Sequence, residues 1–159
     1  MPHSPAKLHE PRSRTRAVRP RRSPTERGYD SRWRRVADAF VIAYPYCVLC
    51  LCRGRVNSGA MRAPSRRGRS LQVDHIEPHR GDPARLFDQS NLQTLCAVPC
   101  HSVHKARIER RASSPGDAWF AFLRAEIAHA QSIEHLREHR EGVPPSVLER
   151  LGRGGGVIF

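Results

Sequence analysis

Val73-Asp74-His75-Ile76, Asn91-Leu92-Gln93-Thr94-Leu95-Cys96 and Cys100-His101 are the segments that decide how this chain folds. The first two are short runs of apolar and β-branched residues, so strands are expected over Leu71–Ile76 and Asn91–Cys96. Between them Pro78, Gly81, Asp82 and Pro83 are turn formers, which predicts an ordered connecting loop rather than a tight hairpin turn. From near Cys100 through Ile108 the composition is helical. Strands and helices in this order set the fold class as α+β. Neighbours on a regular strand face opposite sides, so the strand must end or bend if Asp74 and His75 are to serve one site. Pro78 is well placed for such an ending.

Working outward, Cys47-x-x-Cys50 and Cys96-x-x-x-Cys100 form two knuckles on either side of this core. Four thiolates around one Zn²⁺ make the closed tetrahedral site that structural zinc prefers. In ordinary zinc ribbons roughly 15–20 residues lie between the pairs, whereas 45 residues separate Cys50 from Cys96. The zinc would therefore clasp a whole motif. Four of the five cysteines fall in close pairs, which in a reducing compartment points to metal ligands before disulfides. Buried, unliganded thiols are the plain alternative. Cys52 reads as a bystander, although it lies close enough to Cys50 to compete as a ligand.

Residues 1–28 carry eight basic residues and almost no large apolar side chain, and are expected to be a disordered basic arm. The 29–112 stretch is expected to be the functional domain. It opens with Trp33, Val36, Ala37, Phe40, Val41 and Tyr44 at helical spacing, with Asp30 or Ser31 as cap and Pro45 as terminator. Residues 53–70, rich in Arg, Gly, Ser and Pro, read as a basic surface loop. In 113–142, Ser114, Pro115 and Asp117 start a C-terminal helix carried by Trp119, Phe122, Leu123, Ile127, Ala130 and Leu136. The last stretch, 143–159, contains prolines and a Gly-rich run and is expected to be a flexible tail.

Lys plus Arg number 28 against 15 Asp plus Glu, a net charge of +13. A polyanion is the natural partner, and nucleic acid the expected one. A soluble basic protein or a membrane-surface binder would share the charge. No apolar run is long enough to span a bilayer and no signal-peptide pattern opens the chain, so a cytoplasmic protein with no membrane partner is expected.

With these residues in view, Gly28-Tyr29-Asp30-Ser31-Arg32-Trp33, Pro45 to Cys50, Asp74-His75-Ile76, His79-Arg80-Gly81-Asp82, Leu86-Phe87-Asp88, Asn91-Leu92-Gln93 and Cys100-His101 together resemble the HNH endonucleases of phages and prophages. The resemblance covers roughly residues 28–110. It implies a ββα-metal fold, here flanked by an N-terminal and a C-terminal helix, and metal-dependent hydrolysis of DNA in the bacterial host cytosol, with phage terminase subunits as further partners in DNA packaging. Carried over residue by residue, His75 becomes the general base and Asp74 and His101 the ligands of a catalytic Mg²⁺ or Mn²⁺. Asn91 becomes the catalytic residue that fixes the hairpin and orients His75.

The chemistry suits these roles. An imidazole starts near the pKa that a base at neutral pH needs, and a cation neutralises charge on the leaving oxygen. Arg80, Lys105, Arg107, Arg110 and Arg111 are the expected phosphate contacts, with a plain solvated face as the alternative. Taken singly, Asp74 suits a turn cap, Asn91 an Asx turn and His101 a zinc ligand.

Two departures from the family matter. Its members have two residues between the second pair of cysteines and a lysine three residues after the histidine; here there are three, and Lys105 lies four after His101. His104, one turn along, is thus a substitute candidate for His101. Two other functions fit the same features: a non-catalytic zinc-stabilised nucleic-acid-binding module, and a packaging accessory protein that binds its partner through the Trp119–Leu136 helix.

Overall fold

In the computed structural model, residues 23–58 and 71–153 are described. Most of the expected arm, residues 59–70 of the basic loop and residues 154–159 lie outside them. The described chain is a two-stranded sheet surrounded by helices, consistent with the α+β expectation. No helix among the described residues is long and apolar enough to cross a membrane.

Asp30 accepts a hydrogen bond from the Trp33 amide at 3.0 Å and so caps helix α1, Ser31–Ala43. That helix stops just ahead of Pro45, whose ring disfavours a helical residue before it. Trp33 and Phe40 of α1 join Leu86 and Leu92 in a small apolar cluster. Helix α2, Val48–Cys52, begins right after Cys47 and is buried along its whole length. An antiparallel bridge between Tyr46 and Ser58 closes the chain around it.

Strands β1, Leu71–His75, and β2, Leu92–Cys96, pair antiparallel with Leu71 opposite Cys96, Asp74 opposite Gln93 and His75 opposite Leu92. β1 ends at His75, so Asp74 and His75 are both its paired residues, and the strand neither stops nor bends between them. The connection is ordered, as expected, but it is not all loop. Asp82 caps a short helix α3, Pro83–Phe87, through the Ala84 amide at 2.9 Å, with proline at its first position. Gly28, in the left-handed region at φ +92°, lies against Leu86 so closely that a Cβ there would come within 2.5 Å of Leu86 Cδ2.

After β2 the segment Ala97–Lys105 is kinked at Val98, whose backbone is extended, and then winds helically into α4, Ala106–Glu109. The Ala106 amide reaches back five residues to the His101 carbonyl, a wide π-type turn that accommodates one residue more than an α-helix would.

The C-terminal third differs from expectation in two places. The single helix expected within 113–142 is two: α5, Pro115–Ala130, ends at Gln131 in the left-handed region (φ 50°), and α6, Ile133–Glu138, follows. The tail expected over 143–159 is helical across Pro145–Gly152 (α7), with Val147 and Leu151 buried. Its prolines open the helix, where a missing N–H costs nothing, rather than breaking it. The main core gathers Leu49, Leu51, Leu71, Ile76, Leu95, Trp119, Leu123, Leu136, Val147 and Leu151. The C-terminal helices therefore belong to the same hydrophobic body as the hairpin.

Candidate metal centre and active-site cleft

Cys47, at the entry to α2, and Cys50, within it, meet Cys96, at the end of β2, and Cys100, in the wide-turned segment. All four are buried, and their sulfurs lie within 4.8 Å of one another. The Cys50 and Cys100 sulfurs are 3.8 Å apart. A tetrahedron with metal–sulfur bonds of about 2.3 Å has edges of about 3.8 Å, so this donor set fits a metal ion such as zinc. Hydrogen bonds from Cys100 and Cys47 lower the Cys50 thiol to about 7, and the Asn57 side-chain amide points at its sulfur, 3.7 Å away. Cys52 stands outside the cluster, and burial raises its thiol. It is the bystander of the alternatives left open by sequence.

Asp74 and His101 face each other across the hairpin and the helical segment, with Asp74 Oδ1 at 3.4 Å from His101 Nε2. The carboxylate beside it raises the His101 pKa against the opposing effect of burial. The other Asp74 oxygen accepts from Gln93 Nε2 at 3.2 Å, and Gln93 Oε1 accepts from the Trp119 indole at 2.8 Å. Gln93 and Trp119 are fully buried, so helix α5 braces the carboxylate through a relay inside the protein.

Lys105, expected from sequence at a phosphate-contacting surface, is instead completely buried. Its ammonium donates to the Ile76 carbonyl at 3.0 Å and to Glu109 at 2.6 Å, and stands 3.9 Å from Asp74. A lysine can be enclosed in this way only where carboxylates and a carbonyl replace its water. The wide turn brings His101 and Lys105, four residues apart, to the same carboxylate. His104 faces elsewhere, stacked on Phe122 at 5.9 Å and within 3.4 Å of an Arg53 nitrogen. Of the two candidate histidines, the one at Asp74 is His101.

His75 is on the α1 side of the sheet. Its ring stacks on Trp33 at 4.9 Å, and its Nε2–H donates to the Leu86 carbonyl at 3.1 Å. Since a carbonyl can only accept, the neutral ring carries its proton on Nε2 and its lone pair on Nδ1. Burial lowers the His75 pKa, outweighing the Leu86 carbonyl and Asp74, which raise it. His79 accepts from the Gly81 amide on Nδ1 and meets the Tyr29 hydroxyl through Nε2, so both its nitrogens are used in holding the loop.

No hydrogen bond joins the Asn91 side chain to His75. Asn91 accepts from the Glu77 amide at 2.9 Å and donates to the Glu77 carbonyl at 2.9 Å and the Arg85 carbonyl at 3.5 Å. It therefore ties the two ends of the connection and sets the position of α3, whose Leu86 carbonyl holds His75. Glu77, fixed by Asn91, in turn accepts from the Gly116 amide at 2.7 Å in the first turn of α5.

Asp74, His75 and His101 line one cleft of about 700 Å³ together with Arg27, Tyr29, Trp33 and Arg34. Arg27 Nε is buried with no hydrogen-bond partner among the described residues, and its guanidinium lies over the Tyr29 ring. Arg80, Arg107, Arg110 and Arg111 are exposed at the surface. Arg80 lines a separate depression with Arg85 and Arg150. Sequence reasoning missed Gln93 and Trp119 as braces of Asp74 and Arg27 and Arg34 as the basic wall. Gln93 at a position facing Asp74 across the pair was the available signal; for Arg27, read as part of a disordered arm, there was none. Comparison of the chain with protein-family models, curated proteins and solved structures finds no match.

Proposed function

We propose that the chain is a divalent-metal-dependent HNH-type endonuclease that hydrolyses DNA phosphodiester bonds, with Cys47, Cys50, Cys96 and Cys100 holding a structural zinc. The observation that carries this reading is the meeting of Asp74 and His101 at 3.4 Å on the wall of a cleft also lined by His75 and two arginines. One carboxylate and one imidazole are a donor set that fits Mg²⁺ or Mn²⁺ with positions left for water and a phosphate oxygen. Bound there, such an ion supplies charge neutralisation at the phosphate and at the leaving oxygen.

The rest falls to the chain's own side chains. His75, uncharged because burial lowers its pKa and fixed by Leu86, takes the proton of the attacking water on Nδ1. Gln93 and Lys105 hold Asp74 in place from the protein side. Arg27 and Arg34 face the phosphate backbone from the cleft wall, and Arg107, Arg110 and Arg111 extend the basic surface. Work beside a terminase in phage DNA packaging is part of the proposal that rests on the resemblance alone.

Purified protein incubated with supercoiled plasmid in Mg²⁺, Mn²⁺ or EDTA tests the reading. Relaxed or linear DNA is expected with either ion and none with EDTA. DNA binding without metal-dependent cutting would leave the zinc-stabilised binding module in its place.

A further inference from the structure

Outside the clasp and the cleft, helix α6 and its C-cap carry His135-Leu136-Arg137-Glu138-His139. Residues three and four apart share one face of a helix. The ligand-capable atoms of His135, Glu138 and His139 lie within 4.8 Å of one another, and the two imidazole rings are 4.6 Å apart.

Two details separate this group from a chance surface cluster. His135 Nε2 is buried with no hydrogen-bond partner among the described residues, an arrangement that folded proteins avoid unless something else meets the nitrogen. His139 donates its Nδ1–H to the His135 carbonyl at 3.0 Å, which leaves the lone pair on Nε2. Donation of one ring N–H to a backbone carbonyl is how proteins fix the tautomer of a metal-binding histidine. The Tyr46 ring packs edge-on against His139 at 5.3 Å and limits how far it can turn.

We propose that His135, Glu138 and His139 form a second transition-metal site, distinct from the cysteine cluster and from the Asp74–His101 cleft. Two imidazoles and a carboxylate are borderline donors that suit Zn²⁺ and its neighbours Co²⁺ and Ni²⁺ over Mg²⁺ or Ca²⁺. Metal–ligand bonds of about 2.0–2.2 Å need only a small closing of the three side chains. The His135 side of the group is buried and Glu138 is exposed. The ion would therefore be capped by protein on one side and keep a water on the other.

The test titrates full-length protein holding a single equivalent of zinc with Co²⁺, followed by absorption and elemental analysis. Thiolate-bound cobalt shows intense sulfur-to-metal charge transfer, whereas a site of nitrogen and oxygen donors does not. Beyond the ion that the Asp74–His101 cleft takes up, about one further equivalent of Co²⁺ is expected without the thiolate band, as the donor chemistry requires. It should remain in His101→Ala and be lost in the His135→Ala/His139→Ala double variant. Glu138→Gln should weaken it without abolishing it. Ring resonances of His135 and His139 in the unsubstituted protein give the same answer independently of how the variants fold. Both should be broadened by substoichiometric Co²⁺ well before that of the exposed His129. Equal binding by the double variant, or ring signals of His135 and His139 left unmoved, would overturn the site.

Discussion

At the Cys96 end of the hairpin four sulfurs lie close together and all four residues are buried; at the Asp74 end the carboxylate meets a histidine whose side chain is 39% exposed. Both places bring ligand-capable groups from β-strand and helical segment into contact. They differ in what is left over. The cysteine set closes a coordination shell, which suits an ion that holds the chain together. The aspartate–histidine pair leaves a shell unfinished and opens on a basic cleft, which suits an ion that meets a substrate. The cysteine cluster should therefore govern folding and the cleft should govern reactivity, and substitutions can separate the two.

The largest effect belongs to the closed set. Ion binding by four-ligand zinc sites contributes about 10–16 kcal/mol to the folding of small domains. Cys100→Ser should therefore remove most of the bound zinc and with it the cooperative thermal transition, read by elemental analysis and circular dichroism. A folded Cys100→Ser protein without zinc would remove the contrast between the two regions.

Lys105→Met comes next. It strips the buried ammonium from between Asp74 and Glu109, and breaking a buried ion pair costs about 3–5 kcal/mol. Glu109 is partly exposed, which places the effect toward the lower end of that range. The melting temperature should fall while zinc content stays normal. An unchanged melting temperature would return Lys105 to the surface role that its sequence context suggests.

Gln93→Leu should act mainly on the cleft. It removes the donor that steadies Asp74 and leaves the Trp119 indole unpaired. Removing such a support lowers metal affinity or activity about 10–100-fold. A fall in stability with no change in the metal concentration required for cutting would make Gln93 a packing residue only.

The smallest expected effects concern pH and salt. An ion held by Asp74 and His101 would need His101 without its proton, and the neighbouring Asp74 raises that pKa. Affinity for the ion should thus keep rising with pH beyond the ordinary histidine value of about 6.5. In the metal-free protein the same shift stabilises the fold below about pH 6.5, and that contribution fades as pH rises through the folded-state pKa. Deleting residues 1–22 should flatten the salt dependence of DNA binding, because every phosphate that the arm no longer neutralises takes about 0.9 off the log–log slope. An unchanged slope would confine DNA binding to the folded domain.

Much of this molecule is legible in local sequence because the signals are local. Asp30 caps α1, Pro78, Gly81 and Asp82 mark an ordered connection, and two knuckles announce the cysteine cluster before any fold is known. Long-range geometry carries the rest. A lysine in a basic sequence reads as solvated, and only the convergence of Asp74, Glu109 and the Ile76 carbonyl makes room for Lys105 inside. The choice between His101 and His104 depends on one wide turn that hydrophobic spacing does not reveal. Pro144 and Pro145 read as breakers until Val147 and Leu151 find the core. Asn91, expected to orient His75, reaches it through α3, a helix whose five residues are too few for periodicity to show.

The most direct test of the account is cleavage of supercoiled DNA measured against Mn²⁺ concentration for the unsubstituted protein, Asp74→Ala and His75→Ala, with zinc content checked in each. Asp74→Ala should shift the curve to much higher Mn²⁺. His75→Ala should keep its midpoint while lowering the plateau about 10²–10⁴-fold, the usual worth of a positioned base. Full activity in His75→Ala, or identical curves for all three proteins, would contradict the assignment of this cleft as the place where DNA is cut.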